Sequence, residues 1–341
     1  MSQEPNGGGT KATIIDVARR ANVSKSLVSL VMHGSPSVSH ARRQAVLRAA
    51  ADLGYRPNAL ARGMRGRSYT IGVLLSDLHN PFFAEVVDGV EEGLRLTQYR
   101  ALLGSGGRDP DRELGTIQSM LDRQMDGLIL ISPSVPEKNI LTTAKQAPTV
   151  LVGGRMEVPG LDYIVSDDRS GAELAVDHLS NLGHERIAHV SGGEGAGAMD
   201  RRRGYEAAMT LRGLQEHIRV SPGSYTDAGG YEGARRLLAR NPRPTAIFAP
   251  NDLAAVGVLT AVRQAGLTVP GDVSVVGYDN TYLAALSHIS LTSVNQPRRE
   301  MGGLAVDLLL QRIESGRSET RREMLMPALI ARSTTAPPPS C

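Results

Sequence analysis

Short apolar runs alternate with amphipathic stretches from about residue 70 almost to the C-terminus. Eight of the runs have the length and the continuous apolar character of buried parallel strands. They are 71–75, 101–103, 128–131, 149–152, 187–190, 218–220, 246–249 and 273–276. Helical stretches such as 82–96 and 253–265 lie between them. Two successive arrays of this kind predict an α/β fold with two doubly wound lobes, completed by a helix over 297–314 and a strand over 324–331.

The first seventy residues carry the pattern of short helices instead. Thr13 followed by Asp16 predicts a capping box that opens a helix ending near Ala21. Ser24 is expected to cap a second helix over 25–32, and Ser39 a third that ends before Gly54. The expected inward positions are Val17, Ala18, Ala21, Val23, Val28, Val31, Val46, Ala50 and Leu53. The brief connection between the first two helices predicts a helix-turn-helix.

The charge is divided along the chain in the same place. Residues 1–70 hold eleven Lys or Arg and three Asp or Glu, a balance of +8, whereas the remainder holds 27 basic and 32 acidic residues, a balance of −5. A small basic head on a mildly acidic body is typical of a module that binds a polyanion, joined to a domain with another task. We therefore expect the head to bind nucleic acid.

Composition excludes several classes of protein. The chain has 341 residues, and its single cysteine, Cys341, excludes a disulfide framework and a cysteine-based metal site. No apolar run approaches about 18 residues, so no membrane span is predicted. The polar, Gly-rich residues 1–10 lack the apolar core of a secretory signal, which predicts a cytoplasmic protein. No cofactor is expected.

Three motifs in order carry a specific resemblance. DVARRANVSKSLVSLVMHGSPSVS, LGYRPNALARGM and IGVLLSDLHNPFF resemble the LacI/GalR family of bacterial transcription regulators. The resemblance implies an all-α helix-turn-helix headpiece with a hinge helix, then a periplasmic-binding-protein-like clamshell whose chain crosses between lobes near Ile164, Thr292 and Ser318. The predicted divisions are a disordered arm (1–10), the headpiece (11–56), the hinge helix and linker (57–69), the two-lobed effector-binding and dimerisation domain (70–333), and a disordered tail (334–341).

The resemblance assigns the DNA contacts of the second helix. Lys25 and Ser26 match the principal base-reading positions, and Ser24 and Ser29 would help to hold phosphates. Leu30 departs from the family, in which an Arg is usual there. An Arg could read guanine with two hydrogen bonds, whereas Leu offers only apolar contact, for example to a thymine methyl group.

The hinge carries an expected mechanism of its own. Met64 matches the family's Leu that wedges into the minor groove and kinks the operator, and a Met is long and apolar enough to do so. Ala61 would allow close approach, and Arg62 and Asn58 would meet phosphates or groove edges. A plain linker is the alternative for this segment.

Candidate effector contacts follow the predicted strands or open the helices. By resemblance, Arg201 binds the effector, Asn251 and Asp279 bind hydroxyl groups, and Tyr225 stacks on a sugar. Asp252 and Asn280 are expected to be structural caps, and Arg202 and Arg203 to be solvated. The complete predicted set is Phe82, Phe83, Asp167, Arg201, Tyr225, Asn251, Asp279 and Gln296. For the Phe pair, packing beneath the cleft is an equal alternative.

The sequence specifies the chemical class of the effector less closely than the residues that would bind it. The loop 192–197 is bare where relatives often place a hydroxyl or a second Arg, and Gly154 stands where sugar-binding relatives have an acid. The loop lacks the Lys-Ser/Thr pair of a phosphate loop, which argues against a nucleoside triphosphate. A neutral sugar or small glycoside is favoured, with a purine or another small polar metabolite left open.

Several functions compete at this point. An enzyme could assemble Ser76, Asp77 and His79 into a triad, but no nucleophile-elbow or metal motif supports it. The absence of a signal peptide and the basic head argue against a secreted sugar-binding protein. The favoured function is a dimeric regulator, most simply a repressor, on a pseudo-palindromic operator. Its effector would melt the hinge helices and so release the operator. An effector that acts in the opposite sense, as a corepressor, is left open. The rival, favoured by Leu30 alone, is a cytoplasmic sugar sensor whose headpiece no longer reads DNA.

Overall fold

The chain divides into two units at the junction of Ser68 and Tyr69. The computed structural model describes residues 12–32, 35, 37–55, 67–154 and 160–339. The predicted arm (1–10) and the hinge residues Asn58, Ala61, Arg62 and Met64 lie outside these ranges. The described helices of the first unit are α1 (Ile14–Arg20), α2 (Lys25–Met32) and α3 (His40–Asp52).

Local hydrogen bonds set the starts of α1 and α2 as predicted. Thr13 and Asp16 form the reciprocal capping box, with Thr13 N donating to Asp16 Oδ2 at 2.9 Å. Ser24 Oγ accepts from Leu27 N at 3.1 Å. Ser39 precedes α3 but makes no side-chain cap bond, so that prediction is wrong. Leu53 is 37% exposed, and Ala49 packs in the core with Val17, Val28 and Val46 instead.

The first lobe of the second unit is a parallel six-stranded sheet in the order β11-β5-β4-β3-β1-β2. Its strands are β1 (Thr70–Leu75), β2 (Arg100–Ser105), β3 (Gly127–Ile131), β4 (Thr149–Val152), β5 (Asp162–Ser166) and β11 (Arg322–Leu325). Its helices are α4 (Pro81–Leu94), α5 (Pro110–Asp122), α6 (Glu137–Gln146) and α12 (Arg298–Ser315). The apolar cores on its two faces pack against α4 with α12 and against α5 with α6.

The second lobe is a six-stranded sheet in the order β12-β10-β9-β8-β6-β7, in which only the β10–β12 pair is antiparallel. Its strands are β6 (Ile187–Val190), β7 (Arg219–Ser221), β8 (Ala246–Phe248), β9 (Ser274–Asp279), β10 (Thr292–Asn295) and β12 (Ala328–Ile330). Its helices are α7 (Asp168–Asn181), α8 (Ala198–Leu211), α9 (Asp227–Leu238), α10 (Asp252–Gln264) and the short α11 (Tyr282–Ala285). Both sheets have the predicted α/β character.

The chain crosses between the two lobes three times. The crossings lie after Ser166, after Asn295 and between Leu325 and Ala328. The third crossing divides the single strand predicted over 324–331 into β11 and β12, which belong to different sheets. Pro327 lies between them, and a proline has no N–H to donate to a sheet ladder.

Two further predictions are wrong, one about the burial of a strand and one about disorder of the C-terminal tail. The run 101–103 was expected to be buried, but β2 is an edge strand in which Leu102 and Leu103 are each 45% exposed. The tail was expected to be disordered from residue 334. Instead Thr334 Oγ1 donates to Val275 O at 2.7 Å, and Ala336 N donates to Ser274 Oγ at 3.1 Å. Residues 334–339 therefore belong to the second lobe.

No helix in the described ranges is both long enough and apolar enough to cross a bilayer.

Candidate functional site

One face of α2 is anchored and the other is offered to solvent. Val28 and Val31 are buried in the core of the first unit, whereas Lys25 and Ser26 are exposed. The predicted DNA contacts Ser24, Ser29 and Leu30 lie on the same outward side, and Leu30 is 43% exposed. A polar first turn followed by an apolar residue is a surface that could read base edges.

The second unit contains a cleft of about 1020 Å³ between its lobes. It is lined from the carboxyl ends of strands in both sheets, which is where α/β folds bind ligands. All eight predicted effector residues line it: Phe82, Phe83, Asp167, Arg201, Tyr225, Asn251, Asp279 and Gln296. Their roles as contacts remain predictions.

Arg201 is the buried cation of the cleft. Its Nε donates to Asp168 Oδ1 at 2.8 Å, and its guanidinium carbon lies 3.8 Å from the centre of the Tyr278 ring. Burial, the largest single influence, would lower the pKa of Arg201, but the charges of Asp168 and Asp279 together with Tyr225 and Tyr278 outweigh it and the pKa is raised. Its Nη1 also donates to Pro250 O at 2.5 Å, so Arg201 is a fixed positive charge whose remaining Nη donors suit hydroxyl groups.

Asp279 lies beside Arg201 in a left-handed backbone conformation with φ of 95°. Its Oδ1 accepts from Gln296 Nε2 at 2.6 Å and lies 3.9 Å from Arg201 Nη2. Burial raises its pKa to about 6, although Arg201 and Gln296 favour the charged form. A positive φ is uncommon outside glycine, and such residues cluster at functional sites.

Asn251 and Asp252 both lie at the start of α10 but make different contacts. Asn251 Oδ1 caps the helix by accepting from Ala254 N at 2.8 Å, while the residue also lines the cleft. Asp252 is structural as expected, but as an anchor rather than a cap. It accepts from Thr281 N at 2.6 Å and from Ser293 Oγ at 2.5 Å. Burial, then Asp279, raises the pKa of Asp252 to about 7.

The bare glycine loop has a packing reason. A Cβ on Gly192 or Gly195 would lie only 2.6 Å or 2.3 Å from atoms of the Tyr225 ring. Tyr225 Oη donates to Ala196 O in the same loop at 2.7 Å. The glycines therefore seat Tyr225 close against the loop backbone, which leaves no room for a side chain on that side.

Three other predicted contacts, Phe82, Phe83 and Asp167, are partly structural, and the structural role of Asn280 differs from the one expected. Phe82 and Phe83 meet edge to face at 5.4 Å, and both belong to a core of the first lobe while lining the cleft. Asp167 caps α7 by accepting from Ser170 N at 3.1 Å. Asn280 N donates to Ser293 Oγ at 3.1 Å, so Asn280 holds the β9–β10 connection rather than a helix start.

Sequence reasoning missed two residues that line the cleft, Arg108 and Asp168, and one that is buried behind it, Tyr278. Asp168 and Tyr278 hold Arg201, and Arg108 of the first lobe lies 5.7 Å above the Tyr225 ring. Asp168 could have been found, since it follows Asp167 at the carboxyl end of a strand. Nothing in the local pattern marks Arg108 or Tyr278.

Ser76, Asp77 and His79, which were considered as a catalytic triad, do not form one. His79 Nδ1 lies 3.2 Å from Asp77 Oδ1, but the Ser76 hydroxyl is bonded to Glu113 Oε1 at 2.8 Å and to Ser132 O. Across the ranges that the structure describes, no group of three or more His, Cys, Asp or Glu could hold a metal ion.

Two family models match the chain. Residues 13–58 match bacterial regulatory proteins of the lacI family, and residues 176–335 match a periplasmic binding protein-like domain. The first match covers the helix-turn-helix, and the second covers most of the second lobe.

Curated relatives match nearly the whole chain. Catabolite control protein A of Priestia megaterium is 37% identical over 302 residues, which are 87% of this chain and 91% of the relative. The ribose operon repressor of Haemophilus influenzae is 35% identical over 326 residues, which are 95% of this chain and 98% of the relative.

Solved structures extend the similarity. The lac repressor dimer bound to operator and the anti-inducer ONPF is 27% identical with a TM-score of 0.83, over 96% of this chain and 100% of that one. A complex of the transcriptional regulator CelR with cellobiose is 31% identical with a TM-score of 0.71, over 95% and 99%. These proteins are regulators of transcription rather than enzymes.

Proposed function

The chain belongs to the lacI family of bacterial regulatory proteins, and from that premise we propose a repressor that binds a pseudo-palindromic operator as a homodimer. Membership makes it a DNA-binding transcriptional regulator and not an enzyme. The observation that carries the operator proposal is the solvent-facing side of α2, anchored from behind by Val28 and Val31. Operator binding needs access to the chromosome, so we place the protein in the cytoplasm.

Each headpiece would read one half-site with α2 in the major groove. Lys25 and Ser26 are the proposed base readers, and Ser24 and Ser29 the phosphate contacts. Leu30 would contact a thymine methyl group, because a leucine side chain has no hydrogen-bonding atom. Met64 would wedge into the minor groove, with Ala61 permitting close approach and Asn58 and Arg62 contacting phosphates or groove edges.

The dimer is supported by the exposed edge of the first lobe. Leu102 and Leu103 are each 45% exposed on β2, whose outer edge has no neighbouring strand in the described part of the chain. An exposed apolar edge strand is a surface that natural proteins cover. We propose that a second copy covers it, as the similar lac repressor is a dimer.

The cleft would bind a small polar effector, most simply a sugar. Arg201 and Asp279 offer a donor fork and an acceptor side by side, and Tyr225 offers an aromatic ring. The relative named for a ribose operon and the neighbour bound to cellobiose are consistent with a sugar. An effector that binds one lobe arrangement better shifts the DNA-binding equilibrium, with a typical coupling of about 1–3 kcal/mol.

Selection of genomic DNA fragments by the purified full chain tests the operator proposal, at one stated moderate salt concentration. We expect enrichment of a pseudo-palindrome by the wild type and its loss in a Lys25→Ala, Ser26→Ala double variant. Lys138→Ala, on the exposed surface of α6, is the matched control and should enrich the same sites. Folded wild type that enriches nothing would support the DNA-blind sugar sensor instead.

A further inference from the structure

The two walls of the cleft carry opposite charge. Among the described lining residues, the second lobe contributes the acids Asp167 (the cap of α7), Asp168, Glu194, Asp200 and Asp279, with Arg169 and Arg201. The charged lining residues of the first lobe are Arg108 and Arg322, and no described acid from that lobe lines the cleft. A ligand that spans the cleft therefore meets acceptors on one side and cations on the other.

Arg108 makes only part of the hydrogen bonds that its guanidinium group could donate. Its Nε lies 3.1 Å from Asp77 Oδ2, and no described residue accepts a hydrogen bond from its two Nη atoms. Asp77 also accepts from His79 N at 2.8 Å, so its charge is shared. The Arg108 side chain is 30% exposed, and its guanidinium carbon lies 5.7 Å from the centre of the Tyr225 ring, which also lines the cleft. A guanidinium held by Nε presents its Nη donors as a fork for a carboxylate or phosphate.

The rest of the first-lobe wall leaves room for such a group. Ser132, Ser134, Gly153 and Gly154 line it, so hydroxyls and bare backbone stand where a carboxylate would repel an anion. On the facing wall the net charge is negative, which suits the hydroxyl donors of a sugar ring and not a second anionic group.

We propose that the effector is a sugar bearing an oxyanion, either a phosphate ester or a carboxylate. Its hydroxyls bind Arg201 and Asp279, and its oxyanion binds the Nη atoms of Arg108. This inference rests on the proposed function of the cleft and replaces the neutral sugar expected from the sequence by an acidic one. Arg108 is then the residue that determines specificity.

Calorimetric titration with matched sugars tests the proposal at fixed ionic strength. The probes are glucose, glucose 6-phosphate and glucuronate, ribose and ribose 5-phosphate, and inorganic phosphate alone. We expect at least one anionic sugar to bind tenfold or more tightly than its neutral parent. The phosphate ester and the sugar acid are separate arms, so the preferred one identifies the oxyanion.

Point variants distinguish this proposal from the proposal that the cleft binds a sugar. Arg108→Ala should remove the tenfold preference while changing affinity for the neutral parent less than threefold, and Arg108→Lys should restore part of it. Arg203→Ala removes the same charge from an exposed position outside the cleft lining and should change neither. Equal binding of neutral and anionic sugars, or a preference that survives in Arg108→Ala, overturns the proposal and leaves the sugar cleft intact. No binding of any probe to the folded wild type overturns the sugar cleft itself.

Discussion

The guanidinium of Arg201 is stacked on the ring of Tyr278 at 3.8 Å while its Nε is bonded to Asp168. Burial raises the pKa of Tyr278, so the ring remains neutral and presents its electron-rich face to the cation. Two different contacts thus fix the plane of one side chain. Only a planar, delocalised cation satisfies both.

Arg201→Lys keeps the charge but loses the stacked fork. We expect this variant to lose about 2 kcal/mol of effector-binding free energy, because one or more charge-assisted hydrogen bonds are lost. Operator affinity without effector should be unchanged. Calorimetry and gel shifts measure the two effects. The exposed Arg202→Lys is the control, and an equal loss in both variants would contradict a specific role for Arg201.

Gly195→Ala tests whether the bare loop exists to seat Tyr225. Its Cβ would lie 2.3 Å from the ring, so Tyr225 must move and effector affinity should fall at least tenfold. Gly303→Ala in α12 meets no atom within 4 Å and should stabilise the chain by about 0.5–1 kcal/mol. Unfolding curves and titrations distinguish them. Unaltered binding in Gly195→Ala would show that Tyr225 does not contact the effector.

Leu30→Arg tests how α2 reads DNA. The new guanidinium can make two hydrogen bonds to guanine, so one position of each selected half-site should change to G·C. The discrimination expected is about 1–3 kcal/mol at that base pair. Fragment selection with wild type and variant measures it. Leu47→Arg, also exposed but on α3, should leave the selected sequence unchanged. Identical motifs from all three proteins would place Leu30 away from the bases.

Asp279 predicts a dependence of stability on pH. Burial raises its pKa from 3.8 to about 6, so the folded chain holds this proton more tightly than the unfolded chain. Its contribution to stability is present below pH 3.8 and is lost as the pH rises to about 6. Asp279→Asn cannot ionise and should be more stable above pH 6, by up to about 3 kcal/mol.

Denaturant unfolding of both proteins from about pH 3.5 to about pH 8 measures this difference, because that range brackets the transition. The gap should open between pH 3.8 and about 6. Asp252 loses stability with the same sign in both proteins, but the charge of Asp279 helps to raise its pKa, so Asp279→Asn also lowers the pKa of Asp252 and the gap should widen further toward pH 7. A gap that does not vary with pH would mean that Asp279 titrates normally.

The β2 edge predicts the residues of the dimer contact. Replacing Leu102 and Leu103 by Lys places two like charges on each copy of a surface that meets itself, so the dimer should dissociate. Operator affinity should fall because a monomer binds one half-site. Light scattering after size exclusion gives the mass. Leu211→Lys, 89% exposed on α8, should remain dimeric, and a dimeric double variant would move the contact elsewhere.

The sequence predicted the elements because their signals are local. Capping at Thr13 and Ser24 involves neighbours three residues away, and eight of the strands are apolar runs. The buried strands β5 and β10 were not predicted, because polar residues such as Asp162 and Thr292 interrupt their apolar character. Ser39 shows the limit, since a residue suited to capping precedes α3 but leaves the bond unmade. The strand run at 101–103 was found, but not its edge position, because strand order depends on the whole sheet.

The partners within the cleft could not be predicted in the same way. Asp168 and Arg201 are 33 residues apart, and Arg108 reaches Tyr225 from the other lobe. The first pair depends on how α7 and α8 pack within the second lobe, and the second pair depends on how the two lobes are placed. Periodicity encodes neither. The ordered segment after Ser333 was missed for a related reason. Thr334 and Ala336 are held by Val275 and Ser274, partners far away in the chain.

The three crossings impose an order on synthesis. α1, α2 and α3 are complete once residue 52 has been made, so the headpiece can fold early. The first lobe must wait for α12 and β11, and the second for β12, because each is interrupted by the other. A ribosome stalled after the headpiece has emerged but before Arg298 would thus present a complete helix-turn-helix without a complete effector-binding domain. Such a truncated product would have no cleft through which an effector could release it.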